Sequence, residues 1–240
     1  MRTPEHTPSI AYLICAVFVF VAHTLDGIDG KQARRTASSS ALGEIFDHGC
    51  DAWVAVFLPC STMSIFGEEL NPFTMFHIQV LGCFGFVFSH WEKYVTDVLY
   101  LPWVFDLSQI IFSLTFVIAS NPVINAIITH QRNPRLFLLT FGTVLANVTL
   151  RVMAAQLGRM EIQLFSPLTL LYLGTILVHI IGSQFKNLNQ RLPMWDFGLL
   201  AFVCFMIIVL HLKYAIQLIK EFCTILNIRP FTVTNRAKSS

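Results

Sequence analysis

Residues 10–25 read IAYLICAVFVFVAHTL, and residues 26–53 continue at once as DGIDGKQARRTASSSALGEIFDHGCDAW. The first stretch has the character of a membrane helix, which needs about 20 mostly apolar residues. The second holds Asp26, Asp29, Glu44, Asp47 and Asp51, five of the chain's fourteen acidic residues, before the sequence turns apolar again at Ala52. A charge at the centre of a membrane helix costs ~2.5–3.5 kcal/mol on insertion scales, and less near the ends. Five acids wedged between two apolar segments therefore predict a cationic ligand.

Working outward, further apolar segments lie at 52–66, 73–88, 107–128, 136–153, 164–182 and 195–218. The segment at 52–66 is short unless its helix begins near Leu42 and runs through the acids. Breaks are expected at Asn71-Pro72, Asn133-Pro134 and Pro193, where turn chemistry is concentrated. The chain has 240 residues, 55% hydrophobic and 12% charged, with mean hydropathy +0.63. A soluble domain carries about 25% charged residues. The expected fold is all-α, a polytopic integral membrane helix bundle with about seven transmembrane helices. It forms a single domain over 1–240, with its functional motif at 26–51.

Several other classes are disfavoured. A net charge of +2 with no basic block argues against a nucleic-acid partner. Arg2 precedes the first apolar run, yet no small-residue cleavage site follows, so it is not read as a signal peptide. The six cysteines form no CxxC pair and are read as small, buried, structural residues. Among polar residues inside spans, His77, Asn147 and His179 suit interhelical hydrogen bonds better than a lipid entrance. The triplet Asn147-Val148-Thr149 has the form of a glycosylation site but lies within a span.

Seven spans put the chain ends on opposite sides. Arg2, Arg132, Arg135, Lys186 and Arg191 then fall on one side, five of the sixteen Lys and Arg, and eleven on the other. The positive-inside rule makes the richer side, which carries the acidic motif, cytosolic.

Spacing explains how the acids could converge. Asp26 and Asp29 share a helix face if the first helix continues past Leu25, and Asp47 and Asp51 share one at i,i+4. Glu44 and His48 form a second i,i+4 pair on nearly the same side. Oxygen-only ligands favour Mg2+ or Mn2+. Gly30, Ala33 and Gly43 remove bulk beside the acids, so a base or pyrophosphate can approach the backbone. Arg34 and Arg35 carry forked donors suited to phosphate oxygens. Plainer readings stand beside these: positive-inside anchoring for Lys31, Arg34 and Arg35, close helix packing for the glycines, and a packing role for His48.

The same residues resemble the signature of the CDP-alcohol phosphotransferase family, DxxDGxxAR followed eight residues later by GxxxDxxxD. Here it reads Asp26, Asp29-Gly30, Ala33-Arg34, then Gly43, Asp47 and Asp51, with no position missing. SHWEKY (89–94), LPWVFDLSQ (101–109) and IRPFTV (228–233) are similar to the ethanolaminephosphotransferase branch. The resemblance implies two metal ions, one on Asp26, Asp29 and Asp47 and the other on Asp47 and Asp51. It implies Arg34 on the donor's phosphates, and His48 as general base supported by Glu44. Asp51 is the alternative base. His48 is favoured because a metal-bound carboxylate is a poor proton acceptor.

The implied reaction moves phosphoethanolamine from CDP-ethanolamine to diacylglycerol, in an endoplasmic reticulum or Golgi membrane, with a homodimer as one assembly open to the chain. A CDP-choline donor is the nearest alternative. The sequence also departs from the family. It starts just before what resembles the relatives' second span, and a stretch between Gln109 and Arg135 is shorter than theirs. A shortened, non-catalytic protein that binds ions or nucleotides is therefore a further reading. An aspartate-rich prenyltransferase is another, although such enzymes lack the Gly30/Ala33-Arg34 element followed by Gly43.

Overall fold

A computed structural model describes residues 8–66, 72–98, 134–163, 165–184 and 193–229. Among them the structure is helical throughout, with no strand. In chain order the helices are α1 (Ser9–Arg35), α2 (Ala41–Phe66), α3 (Pro72–Thr96), α4 (Pro134–Gly158), α5 (Pro167–Gln184) and α6 (Pro193–Leu226). Six of the seven expected segments map onto these one to one; the segment at 107–128 lies outside the described residues, as do LPWVFDLSQ and most of IRPFTV. Helices α3, α4 and α6 each start at the proline of an expected break. Proline suits the first helical position, where its missing N–H would have had no partner.

The short apolar segment at 52–66 does gain length from the acidic stretch, since α2 begins at Ala41. Ser40 caps it, its Oγ accepting the Gly43 N–H at 3.0 Å. A Cβ at position 43 would sit 3.3 Å from that same oxygen, tight enough to disturb the cap. The link from α1 turns through Ala37, whose φ of 53° is uncommon for a residue other than glycine.

Helix α4 is the axis of the bundle. It contributes to four buried clusters: with α2 and α6 around Leu42, Leu150 and Phe222, with α2 and α3 around Val56, Cys83 and Ala146, with α5 and α6 around Val144, Tyr172 and Ile207, and with α3 around Met75 and Leu138. Its apolar residues are spread round the helix, as suits a helix with neighbours on most sides. Gly142 lets the helices close in, because a Cβ there would lie 2.6 Å from Val56 Cγ1 and nearer still to the Gln79 amide. Gln79 reaches across from α3 to donate to the Leu138 carbonyl at 2.7 Å.

By contrast, α1 has no buried residue. Val17, Phe18 and Phe20 are among the many large apolar side chains it exposes. Helices α1, α4 (from Arg135) and α6 (from Gly198) are long and apolar enough to cross a membrane. Contiguous exposed apolar surface of this extent fits contact with lipid. The cysteines correct one expectation. Cys83 and Cys204 are buried, but Cys15 and Cys50 are exposed, because no described residue covers α1 over its apolar length and Cys50 faces a cavity.

Candidate metal and nucleotide site

The acids converge. Because α1 continues to Arg35, Asp26 stays in register on the helix and meets the start of α2. Asp26, Asp47 and Asp51 each place a carboxylate oxygen within 4.8 Å of the others. A hard divalent ion with bonds of about 2.1 Å holds its ligands only ~3–4 Å apart, so side-chain rotation alone would close the set. Three carboxylates this near repel one another strongly, and a bound cation would relieve that repulsion. Asp29 stands slightly apart from the trio, its Oδ1 accepting the Gly30 N–H.

Two cavities meet at this corner. One, of about 590 Å³, is lined by Asp26, Asp29, Asp47 and Cys50 together with apolar Leu25, Ile28 and Phe46. The other, of about 660 Å³, is lined by Asp29, Gly30, Ala33, Arg34, Gly43, Glu44, Asp47, His48 and Lys93. Both volumes fall within the range that holds small-molecule ligands. The second cavity gathers every expected nucleotide-contacting residue, Gly30, Ala33, Arg34 and Gly43, with both expected catalytic residues, His48 and Glu44. Asp29 and Asp47 face both cavities and join them.

The partners of His48 and Glu44 differ from the implied arrangement. His48 Nδ1 lies 3.5 Å from Asp51 Oδ2, whereas Glu44 Oε1 is paired with Lys93 Nζ. The acid that faces the imidazole is thus Asp51. Glu44 and His48 do share a helix face, as their spacing requires, but an ammonium from α3 draws the Glu44 carboxylate away.

Helix α3 supplies two residues that the motif does not contain, His90 and Lys93. His90 is 4% exposed, and its Nδ1 lies 2.9 Å from the Phe86 carbonyl. Its ring stands edge-on to His48 with centroids 4.9 Å apart, and its Nε2 has no hydrogen-bond partner among the described residues. Both belong to SHWEKY, and their i,i+3 spacing on one helix face was the only local signal that they act together.

A second polar group lies deeper. Trp53 Nε1 donates to His211 Nε2 at 3.2 Å, and the Asn147 amide lies 3.3 Å from His211 Nδ1. Arg151 Nε donates to Asn147 Oδ1 at 3.0 Å. Asn147 therefore makes the interhelical contact expected of it. Burial leaves Asn147 and Thr149 0% and 2% exposed, which closes the triplet to modification in the folded protein. His77 is buried as well, and the side chain of His179 lies outside the described residues.

Parts of the chain match known proteins. The chain is 44% identical to human ethanolaminephosphotransferase 1 over 119 residues, which is 48% of this chain and 30% of that protein. It is 47% identical to zebrafish (Danio rerio) cholinephosphotransferase 1 over 95 residues, 40% of this chain and 25% of the relative. The bovine (Bos taurus) cholinephosphotransferase 1 is 42% identical over 113 residues, 47% and 28% of the two chains. The chain thus spans less than a third of the length of these relatives. The family pattern described as CDP-alcohol phosphatidyltransferase matches residues 8–226, which takes in the acidic corner, both cavities and nearly all of the helical bundle, and the chain belongs to that family.

Proposed function

We propose that this chain transfers phosphoethanolamine from CDP-ethanolamine to diacylglycerol, giving phosphatidylethanolamine and CMP, at the cytosolic edge of an endoplasmic reticulum or Golgi membrane. The observation that supports it best is the approach of the Asp26, Asp47 and Asp51 oxygens to within 4.8 Å, beside a cavity lined by Arg34 and His48. In this reading the chain crosses the membrane seven times, and the side rich in Lys and Arg is cytosolic.

The donor set is all carboxylate, which fits Mg2+ or Mn2+, with Asp26, Asp29, Asp47 and Asp51 as the ligands of two ions. Such ions, when bound, neutralise the donor's diphosphate and the charge that develops on it. Arg34 takes phosphate oxygens with its fork. Gly30, Ala33 and Gly43 keep the cavity wall low enough for the nucleotide to reach the backbone. His48 accepts the proton of the diacylglycerol hydroxyl. Its Nδ1 is turned to Asp51, so Nε2 is the nitrogen left for that proton. The alcohol oxygen bonds to the β-phosphorus as the bond to the α-phosphate oxygen breaks, and CMP departs. Asp51 then has a second use in addition to metal binding, which is to orient the imidazole.

The choice of ethanolamine rests on SHWEKY and its neighbours. Choline is the second reading, favoured by the 47% identity to a cholinephosphotransferase. Microsomes containing the chain, supplied with each CDP-alcohol and diacylglycerol, decide between them by CMP release, which we expect to be faster with CDP-ethanolamine. His48→Ala is expected to lower CMP release by about 10²–10⁴-fold while metal binding persists. Full activity in that variant would move the base to Asp51. Metal-dependent binding of CDP-ethanolamine without any CMP release would overturn the transfer reading in favour of a non-catalytic nucleotide-binding protein.

A further inference from the structure

Helix α4 carries a half-buried positive charge that no acid among the described residues pairs with. Arg151 is half-buried. Its Nε is tied to Asn147 Oδ1, and its guanidinium carbon lies 4.1 Å above the centre of the Tyr214 ring of α6. The ion pairs among the described residues are His48–Asp51 and Lys93–Glu44, and neither includes Arg151. No hydrogen bond to Nη1 or Nη2 is formed by any described residue.

The mounting is rigid. Asn147, which holds Nε, is fully buried and is packed 3.3 Å from His211, which takes the Trp53 N–H. Three helices, α2, α4 and α6, therefore contribute to fixing one guanidinium. An arginine that only anchors a helix to the interface reaches outward on a flexible stem. Here the guanidinium carbon lies over an aromatic ring and one nitrogen is pinned, which leaves the two terminal nitrogens for a ligand. Such a charge, half-buried in a membrane helix and without a counter-charge among the described residues, is a candidate functional site.

The position also fits. Leu150 Cδ1 lies 3.9 Å from where a Cβ on Gly49 would sit. The Arg151 turn of α4 is therefore level with the turn of α2 that carries His48 and Asp51.

We propose that Arg151 is an oxyanion-binding site whose two terminal nitrogens take a phosphate group through paired, charge-assisted hydrogen bonds. The phosphate comes either from a phospholipid head group or from the nucleotide. The inference concerns binding alone and does not require the transfer reaction.

The test uses the purified chain in detergent, titrated separately with short-chain phosphatidic acid and with CMP plus Mg2+, for wild type, Arg151→Gln and Arg151→Lys. Arg151→Gln is expected to weaken at least one probe about tenfold or more, the loss that follows from removing hydrogen bonds to a charged group. Arg151→Lys restores only part of it, because an ammonium has no fork. Loss confined to phosphatidic acid identifies a lipid phosphate; loss confined to CMP identifies the nucleotide. Wild-type affinity of Arg151→Gln for both probes overturns the proposal. If Arg151→Gln does not fold, Arg151→Lys decides: a drop for either probe supports the site, and wild-type affinity for both refutes it. A purely structural role would lower the melting temperature and leave the affinity of the folded protein unmoved.

Discussion

The corner where Asp26 meets Asp47 and Asp51, and the buried chain from Trp53 through His211 and Asn147 to Arg151, both start on α2, yet they treat polar atoms in opposite ways. In the deeper chain neighbouring polar side chains stand within 3.3 Å of one another, with the Trp53 N–H given to His211 and the Arg151 Nε–H given to Asn147. At the corner like charges face one another, and α1, which brings Asp26, has no buried residue. The first arrangement stabilises the bundle. The second works against folding unless a cation arrives, the signature of a site built for binding. Polar residues in one membrane helix can thus be sorted by whether their partners are already present.

The largest effect that could break this contrast is expected at Asp47, which faces both cavities. Asp47→Asn should reduce CMP release by about 10³-fold, since a bound metal supplies several kcal/mol of transition-state stabilisation. Mg2+ is expected to raise the melting temperature of the wild type by binding the folded state, and Asp47→Asn should abolish that rise. Without metal the same variant should melt no lower than wild type, because one repelling charge is gone. A metal-induced shift that survives intact would end the case for the corner.

Packing comes next. Gly142→Ala should destabilise the detergent-solubilised protein by about 1–3 kcal/mol, as its methyl group would intrude 2.6 Å from Val56; a wild-type melting curve would show that the helices have room to part. Asn147→Ala should cost about 1 kcal/mol, in line with hydrogen bonds between membrane helices, while leaving the Mg2+-induced shift in place. Loss of that shift would mean that the two polar regions are coupled. Lys93→Met is expected to matter least for stability, at most about 1 kcal/mol, because the pair with Glu44 is only partly shielded. A larger loss on thermal melting would show that the pair holds α3 against α2.

Much of the corner was legible in the chain because helical geometry is local. Once α1 runs past Leu25 and α2 starts near Leu42, the i,i+3 and i,i+4 spacings dictate which acids share a face, and the prolines dictate where helices begin. Long-range partners carry no such periodicity. Glu44 and Lys93 are 49 residues apart, and Trp53 and His211 are 158 apart. Nothing around Glu44 indicates that an ammonium will take it from His48. His90 reads as one polar residue in an apolar helix until α3 is seen against α2.

The amino-acid order by itself determined the helical class, the starts of α3, α4 and α6, and the acids destined for one corner, since apolar run length and spacing along a helix act within a few turns. Only the tertiary structure decided that Asp51 rather than Glu44 faces His48, that α3 brings Lys93 to the cavity wall and His90 against His48, and that no described residue fills the fork of Arg151. Those outcomes depend on how helices distant in sequence rotate to bury their own apolar faces, and that rotation is settled by packing around α4.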